Sequence, residues 1–302
     1  MSRISVIIPT LDRPGPLSRC LQALAQSFPA DAETIVVSDG GSVDLGQWLA
    51  PFVDLLRLRY IVAPNGGPAS ARNHGLAAAR GDIVAFLDDD CRPRSGWLLA
   101  LTSGVSLSPP RATGGTTFNG LGSNVYAEVA QLILDLVARH ERETYGRESF
   151  FPSNNLAFPA ETLRGIGGFD ESFRTAEDRE LCRRWRQSGF VLARVPEAVV
   201  DHDAHLNFIG FLRQFFTYGQ GGARFHLSDD TSSFGKSVAF HLRLPMFVVP
   251  ELVRNGPRRG ARLLGLFVLW EVANLAGFLS AIPRRSATSM TPMPASQGEN
   301  SL

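Results

Sequence analysis

Three consecutive carboxylates, Asp88, Asp89 and Asp90, directly follow the apolar run Ile83–Leu87. A short apolar run of this kind predicts a buried strand, and open α/β folds bind their ligands at the carboxyl ends of such strands. Carboxylate oxygens suit Mg²⁺ and Mn²⁺, and a metal held by one or two protein carboxylates usually takes phosphates as further ligands. The segment therefore indicates a diphosphate-bearing substrate, with a solvated acidic loop as the alternative.

The composition is that of a folded α/β protein without a strong charge bias. The chain has 302 residues, 44% of them hydrophobic, which allows one large domain or one domain with an appendage. Its 30 basic and 29 acidic residues balance, so the charge does not favour nucleic acid as a partner. Cys20, Cys91 and Cys182 form no zinc or disulfide pattern. These features, and an amino-terminal apolar run too short for a secretory signal, predict a cytoplasmic location.

Apolar runs alternate with helical patterns over the first ninety residues. The predicted strands are Ile4–Ile8, Thr34–Val37, Leu58–Val62 and Ile83–Leu87. The predicted helices are Pro16–Ser27, Asp44–Leu56 and Pro68–Arg80. Alternation of this kind with short links predicts a parallel sheet with right-handed crossovers.

The middle of the chain is less regular. Ala112–Asn124 is rich in Gly and Thr and predicts a loop or an edge strand. Helical spacing recurs in Val125–Arg142 and in Asp178–Ser188. Phe190–Val195 alternates as a strand, and Ala198–Val200 indicates a further short one.

The last third contains a twenty-residue apolar run, Leu263–Ile282, interrupted by Glu271 and Asn274. The run is long enough to span a bilayer, but polar groups near its middle are unfavourable in lipid. Three interpretations stay open: an interfacial helix, a true span, or a helix packed on the protein. Aromatic faces beside clustered arginines favour peripheral attachment to a membrane.

Seven short motifs, in order over about the first two-thirds of the chain, resemble those of the family 2 glycosyltransferases, which have the GT-A fold. They are Ser5–Thr10, Ser38–Asp44, Ala71–Gly75, Phe86–Asp90, Ser153–Ala157, Gly167–Asp170 and Glu177-Asp178. Each motif is weak by itself, but seven in register are specific. The resemblance implies a Rossmann-like, mostly parallel sheet flanked by helices. It also implies inverting transfer of a sugar from a nucleotide-diphosphate donor to an acceptor hydroxyl.

The resemblance implies a set of donor-binding residues. The backbone of Pro9 and Thr10, at the end of the first strand, would line the nucleotide cleft. Asp39 would contact the nucleobase, with an ordinary turn residue as the alternative. Arg72 would lie near the base or the phosphates, with a surface helix arginine as the alternative.

The metal site implied by the resemblance uses the triple aspartate. Asp90 would bind the metal, and Asp88 would bind the ribose or a metal-bound water, or the metal itself. Asp89 could serve either role, because the register is not determined by the sequence. His202 would be a further metal ligand, with His205 as its competitor. The metal would be Mn²⁺ or Mg²⁺, and the donor a UDP- or dTDP-sugar.

The catalytic pair implied by the resemblance is Glu177-Asp178 at the start of a helix. Asp178 would be the general base that takes the acceptor proton, whereas Glu177 would assist or cap the helix. A helix N-terminus favours anions and would keep Asp178 ionised. Asn154 and Asn155 would bind the acceptor or the diphosphate.

Processive enzymes of the family carry Gln-x-x-Arg-Trp, whereas here Gln214 is followed by Phe215-Phe216-Thr217-Tyr218. We therefore expect transfer of a single sugar. The predicted acceptor is a saccharide or lipid-linked saccharide in cell-envelope polysaccharide, glycolipid or glycoconjugate synthesis.

The predicted organisation is a GT-A catalytic domain over 1–207, a helical extension with potential membrane contact over 208–285, and a disordered tail over 286–302. A nucleotidyltransferase and a degenerate scaffold protein are the two alternative functions. A nucleotidyltransferase would carry a Gly-rich loop after the first strand, where this chain has Pro9–Pro14. A degenerate scaffold protein is opposed by the acids at 88, 90 and 178.

Overall fold

The computed structural model describes residues 3–228, 240–244, 246, 249 and 256–282. The described strands are β1 Ile4–Thr10, β2 Ala32–Asp39, β3 Leu58–Ala63, β4 Ile83–Phe86, β5 Cys91–Pro93, β6 Ser106–Leu107, β7 Pro110–Asn119, β8 Leu156–Pro159 and β9 Val191–His202. The described helices are α1 Pro14–Ala25, α2 Gly46–Leu49, α3 Pro68–Ala78, α4 Trp97–Ser103, α5 Val125–Tyr145, α6 Ala160–Gly165, α7 Glu177–Gln187, α8 Phe208–Leu227 and α9 Gly256–Ala281.

The strands form one sheet in the order β3-β2-β1-β4-β8-β7-β9-β5, with β6 paired to β7. The first four strands run parallel. β8 is antiparallel to β4, and β7 is antiparallel to β8 and parallel to β9. The predicted mostly parallel α/β architecture is therefore confirmed, and the carboxyl ends of β1, β2 and β4 lie at one edge.

Side chains alternate along each strand, so neighbouring residues of β1 enter two different cores, one on each face of the sheet. Val6 and Ile8 pack in a core with residues of α1, α2 and α4, including Trp97. Ile7 faces the opposite way and packs with residues of α3, α6 and α7, including Trp185. Burial on both faces explains the apolar runs of β1, β2 and β4, whereas the edge strand β3 leaves Tyr60 and Val62 exposed.

Three element predictions were wrong in detail. The part of Ala112–Asn124 up to Asn119 belongs to β7, which lies inside the sheet between β8 and β9 and is not an edge strand. Residues 120–124 form a loop, as predicted. The glycines of β7 are required by packing: a Cβ on Gly114 would lie 2.0 Å from the ring of Phe151. The helix predicted over Asp44–Leu56 is limited to α2 and the 3₁₀ turn Ala50–Phe52. The two strands predicted near 195 are one, β9, with a register shift opposite Gly114 and Thr116.

The described C-terminal helices pack on α5 and on each other. A third apolar cluster joins Val129 and Ile133 of α5 with Phe215 of α8 and Trp270 of α9. Among the described helices, one stretch is long and apolar enough to cross a membrane, Arg259–Ala281, with 23 residues and a mean hydropathy of 1.7. A third of its most apolar part, 33%, is buried against the protein. The domain boundaries stay a prediction, and the proposed tail at 286–302 lies outside the described residues.

Candidate active site

The triple aspartate follows β4 at the carboxyl edge of the sheet, and its middle member faces the protein. Thr10 Oγ1 donates to Asp89 Oδ2 at 2.6 Å, and Arg13 Nη2 lies 2.9 Å from Asp89 Oδ1. Burial raises the pKa of Asp89 to about 6, against the opposing effects of Arg13 and Thr10. Asp89 therefore ties the loop after β1 to the loop after β4.

Asp90 lies beside His202, because β5 pairs with the end of β9 and aligns Cys91 with His202. His202 Nε2 is 3.4 Å from Asp90 Oδ1, and Arg13 Nη2 is 2.6 Å from Asp90 Oδ2. Burial alone would raise the pKa of Asp90, but His202 and Arg13 outweigh it and hold the pKa below its usual range. The carboxylate is thus kept ionised.

These donor atoms suit a divalent cation. Candidate ligand atoms of Asp90, Cys91 and His202 lie within 4.8 Å of one another. The carboxylate and the imidazole are reasonable ligands for Mn²⁺. The Cys91 thiol is not, because burial raises its pKa well above the ordinary value and keeps it protonated. Arg13 forms ion pairs with both Asp89 and Asp90, so the protein itself neutralises part of the negative charge of this group.

Arg72 connects the triple aspartate to the predicted catalytic pair. Its Nη2 is 2.7 Å from Asp88 Oδ1 and its Nη1 is 2.9 Å from Glu177 Oε1. The side chain is only 3% exposed, which excludes the surface-arginine alternative. Its guanidinium lies 5.5 Å from the ring centroid of Phe169. Asp88 is therefore held toward Arg72, and its roles at the ribose or metal stay predictions.

Glu177 and Asp178 begin α7 immediately after Ala176, whose φ of 65° is unusual for a residue with a side chain. Asp178 accepts backbone N–H bonds from Ser153 at 3.3 Å and from Arg179 at 2.7 Å. Burial raises the pKa of Asp178, and burial together with the Asp178 charge raises that of Glu177 to about 7. Desolvation therefore outweighs the field of the helix N-terminus, which was expected to keep Asp178 ionised.

Asp39 shapes the loop that precedes α3. Its carboxylate accepts N–H bonds from Gly66 at 2.8 Å and from Gly67 at 2.9 Å. Pro9, near the end of β1, is aligned with Val37 of β2. These contacts place the end of β2 beside the start of α3, and the nucleobase contact of Asp39 stays a prediction.

Asn154 and Asn155 have different environments. Asn155 donates to the carbonyls of Thr116 and Ala198 and accepts from Trp97 Nε1 at 2.8 Å. This gives Asn155 a structural role in place of the predicted substrate contact, because its amide N–H groups and oxygen already have protein partners. Asn154 lines the central cavity and accepts from Thr117 Oγ1 at 3.2 Å, so a binding role stays a prediction for it.

A cavity of about 970 Å³ joins part of the predicted site, with Arg72, Asn154 and Glu177 in its lining, whereas Pro9, Thr10, Asp39, Asp89, Asp90 and Asn155 do not line it. Asp88, Asp178 and His202 line it, as do Tyr218 of α8 and Trp270 of α9. The described C-terminal helices thus complete the wall of the site.

Arg13 and Tyr218 are among the residues at the site that were not predicted. Arg13 carried a weak signal, since it is a basic residue in the first loop at the ligand-binding edge. Tyr218 carried none, because its place in the wall depends on how α8 packs on the sheet.

Residues 5–165 match the sequence model described as "Glycosyl transferase family 2". The match covers more than half of the chain, which therefore belongs to this family. The predicted family and its class of enzyme are thereby confirmed.

Two relatives and one solved structure illustrate the similarity. The chain is 31% identical over 228 residues to "Pre-mycofactocin glycosyltransferase" of Mycobacterium tuberculosis, covering 73% of this chain but only 47% of the relative. It is 25% identical over 303 residues to "Glycosyltransferase AglE" of Haloferax volcanii, covering 93% and 96%. The mannosyltransferase PcManGT from Pyrobaculum calidifontis, solved with GDP-Man and Mn²⁺, superposes with a TM-score of 0.67 at 17% identity, covering 93% and 87%. That likeness shows a shared fold.

Proposed function

We propose that this protein transfers one sugar from a nucleotide-diphosphate sugar to an acceptor hydroxyl, with inversion at the anomeric carbon. The observation that carries the proposal is the shared cavity, which Asp178 lines together with Asp88 and His202. A carboxylate that can accept a proton thus opens onto the same space as groups suited to a charged donor. Asp178 is the proposed general base.

Asp90 and His202 are the proposed holders of a divalent cation. When bound, Mn²⁺ or Mg²⁺ would neutralise charge on the leaving diphosphate. Arg13 would also face the diphosphate, since its side chain is 45% exposed and its guanidinium lies beside Asp90. Glu177 and Arg72 keep their buried ion pair and support the position of Asp178.

The proton step is assigned to Asp178 because its carboxylate is held in place by two backbone N–H groups. The acceptor oxygen attacks the anomeric carbon as the bond to the diphosphate breaks, and its proton passes to Asp178. Attack from the face opposite the leaving group inverts the configuration. The absence of Arg-Trp after Gln214 supports transfer of a single sugar.

A UDP- or dTDP-sugar is the proposed donor, and the GDP-Man bound by PcManGT adds guanosine donors to the set that must be tested. The proposed acceptor is a saccharide or lipid-linked saccharide used in cell-envelope polysaccharide, glycolipid or glycoconjugate synthesis. An exposed apolar face on α9 supports peripheral contact with the cytoplasmic face of the membrane.

The proposal is tested by a thermal-unfolding screen of the full chain with UDP-, dTDP- and GDP-sugars, each with and without Mn²⁺. A ligand at one hundred times its Kd stabilises the native state by about 2.7 kcal/mol. We expect one donor to raise the Tm only when Mn²⁺ is present. In the Asp90→Ala variant, adding Mn²⁺ should no longer increase the Tm shift that this donor produces. Hydrolysis of the same donor is then followed by release of the nucleoside diphosphate. If no donor binds or is hydrolysed, the proposed glycosyltransferase activity is refuted. If a donor binds but is not turned over, the scaffold alternative is favoured.

A further inference from the structure

The cavity continues along α7 beyond the proposed base. Asp178, Cys182 and Arg186 are spaced four residues apart, so they lie on one face of the helix. Asp178 and Arg186 both line the cavity, and the helical rise separates their backbones by about 12 Å. A ligand whose hydroxyl faces Asp178 could therefore reach Arg186 with a different part of its structure.

Arg186 has an unusual environment for an arginine. Its Nε is buried and has no hydrogen-bond partner in the described part of the chain. Burial and the neighbouring charge of Arg147 lower the pKa of Arg186. The nearby carboxylate of Glu141 is already bound by Arg179 and by Ser149. Arg186 thus faces a second cation, while the closest acid is engaged elsewhere.

Most of the other arginines that line the cavity are paired with protein carboxylates, with Arg174 as an exception within the described residues. Arg194 bonds Glu148 at 2.7 Å, and Arg142 lies 3.8 Å from the same carboxylate. By contrast, within the described residues neither Arg147 nor Arg186 forms a salt bridge with an acidic side chain. Arg147 and Arg186 both line the cavity, and their like charges repel, so an anion bound near both of them would offset that repulsion.

We propose that Arg147 and Arg186 form an acceptor subsite for an anionic group, a phosphate or a carboxylate, remote from the reactive hydroxyl. The guanidinium fork matches the oxygens of either group and binds them with charge-assisted hydrogen bonds. The inference rests on the proposed function and narrows its acceptor to a negatively charged saccharide. The donor diphosphate belongs to Arg13, Asp90 and His202, so the subsite adds a second anion-binding position.

The test measures acceptor binding with the donor site filled. The full chain is saturated with Mn²⁺ and the nucleoside diphosphate selected by the thermal screen. It is then titrated with N-acetylglucosamine 1-phosphate, glucuronic acid and neutral N-acetylglucosamine, and binding is followed by NMR. We expect about tenfold tighter binding of one anionic probe than of the neutral sugar, because charge-assisted bonds to arginine are strong. The probe that binds more tightly distinguishes phosphate from carboxylate.

Variants test whether the two arginines are responsible. Arg147→Gln with Arg186→Gln should abolish the preference for the anion, whereas the double change to Lys should keep part of it. Arg80→Gln is the matched control, since Arg80 is exposed and does not line the cavity. The Tm of each variant confirms that it folds. Equal binding of charged and neutral probes by the wild type, or a preference kept by the double Gln variant, would refute the subsite.

The two proposals fail in different ways. If the wild type shows no metal-dependent donor hydrolysis, the proposed glycosyltransferase activity is refuted. Donor hydrolysis without any preference for anionic probes refutes the subsite alone.

Discussion

The position of Asp178 depends on its backbone partners more than on neighbouring side chains. Its two oxygens accept from Ser153 and Arg179, and the left-handed Ala176 directs the chain into α7. An asparagine at 178 has a similar shape and could keep one of these bonds, but it cannot take a proton. The Asp178→Asn substitution therefore removes the proton acceptor while largely keeping the local structure.

Asp178→Asn should reduce sugar transfer by about 10²–10⁴-fold, the usual contribution of a general base. Donor affinity should change little, because the proposed donor groups lie around Asp90 and His202. Initial rates and the donor-induced shift in Tm measure the two effects. Asp54→Asn is the control, since this carboxylate is exposed and does not line the cavity. Wild-type turnover by the Asp178 variant would remove it as the base.

Transfer should depend on pH through the buried carboxylate pair. The pKa of Glu177 is raised from 4.5 to about 7, and that of Asp178 is also raised. Raised values mean that the pair takes up a proton as the pH falls through about 7, so that kcat/KM should decrease below this pH. Arg72 and Arg179 oppose the rise without removing it.

Glu177→Gln is the matching variant for the pH profile. It removes the neighbouring negative charge, so the acidic limb should move to lower pH as the pKa of Asp178 falls. The pH dependence of kcat/KM measures this shift, with Asp54→Asn again as the control. An unchanged midpoint in the Glu177 variant would show that the pair does not control the rate.

Residue types at the site were predictable where strand ends supplied them. The triple aspartate was recognisable because it follows a buried run, and His202 because it follows another. The side-chain directions were not predictable. Asp89 accepts a hydrogen bond from Thr10, and Asn155 accepts one from Trp97. Such choices depend on contacts between segments far apart in the chain, which periodicity does not report.

Among the elements, the crossing of α8 and α9 depends on two glycines. A Cβ on Gly219 would lie 2.0 Å from the carbonyl oxygen of Asn274, and one on Gly277 would lie 1.9 Å from that of Phe216. Backbone carbonyls cannot move aside as a flexible side chain can. The two helices therefore approach closely only because neither position has a side chain.

Gly219→Ala and Gly277→Ala should each lower the Tm, since the helices must separate and lose part of the cluster around Trp270. Gly222→Ala and Gly265→Ala are the controls, because a Cβ there meets no atom within 4 Å. Alanine is about 1 kcal/mol better than glycine in a helix, so the controls should raise the Tm. Thermal unfolding, followed by circular dichroism, distinguishes the expected decrease in Tm of the first two variants from the expected increase in the controls. A Tm raised by all four substitutions would contradict the close crossing.

The elements themselves were predictable to different degrees. The parallel strands β1 to β4 have continuous apolar runs, and α5 has clear helical spacing, so both followed from local pattern. β7 did not, because Gly114 and Gly115 are present for packing against Phe151 and Asn155. A Gly-rich strand inside a sheet has the composition of a loop.

At the scale of the whole molecule, α9 presents one apolar face to solvent. Leu264, Val268, Val272, Leu275 and Leu279 follow helical spacing and are 48–61% exposed. The opposite side of the helix carries Phe267 and Trp270, which are buried against α5 and α8. One helix thus has a face for the protein and a second face without a covering element in the described part of the chain.

We expect this face to bind the membrane surface, because exposed basic residues Arg259 and Arg262 lie at the N-terminal end of the same helix. Val268→Gln with Leu275→Gln should lower sedimentation with vesicles containing anionic lipid by about tenfold or more, since burying each such side chain contributes about 1.5–3 kcal/mol. Leu55→Gln with Leu99→Gln is the control, as these exposed side chains lie on the catalytic part.

Size-exclusion chromatography without lipid tests the competing occupant of this face, a second copy of the chain. Equal sedimentation of both double variants would leave the face without a membrane role, whereas a dimer lost only in the α9 variant would assign it to self-association. Selective loss of vesicle binding would instead place α9 at the lipid surface. The buried side of this helix forms part of the cavity wall, so a lipid-linked acceptor would arrive close to the cavity.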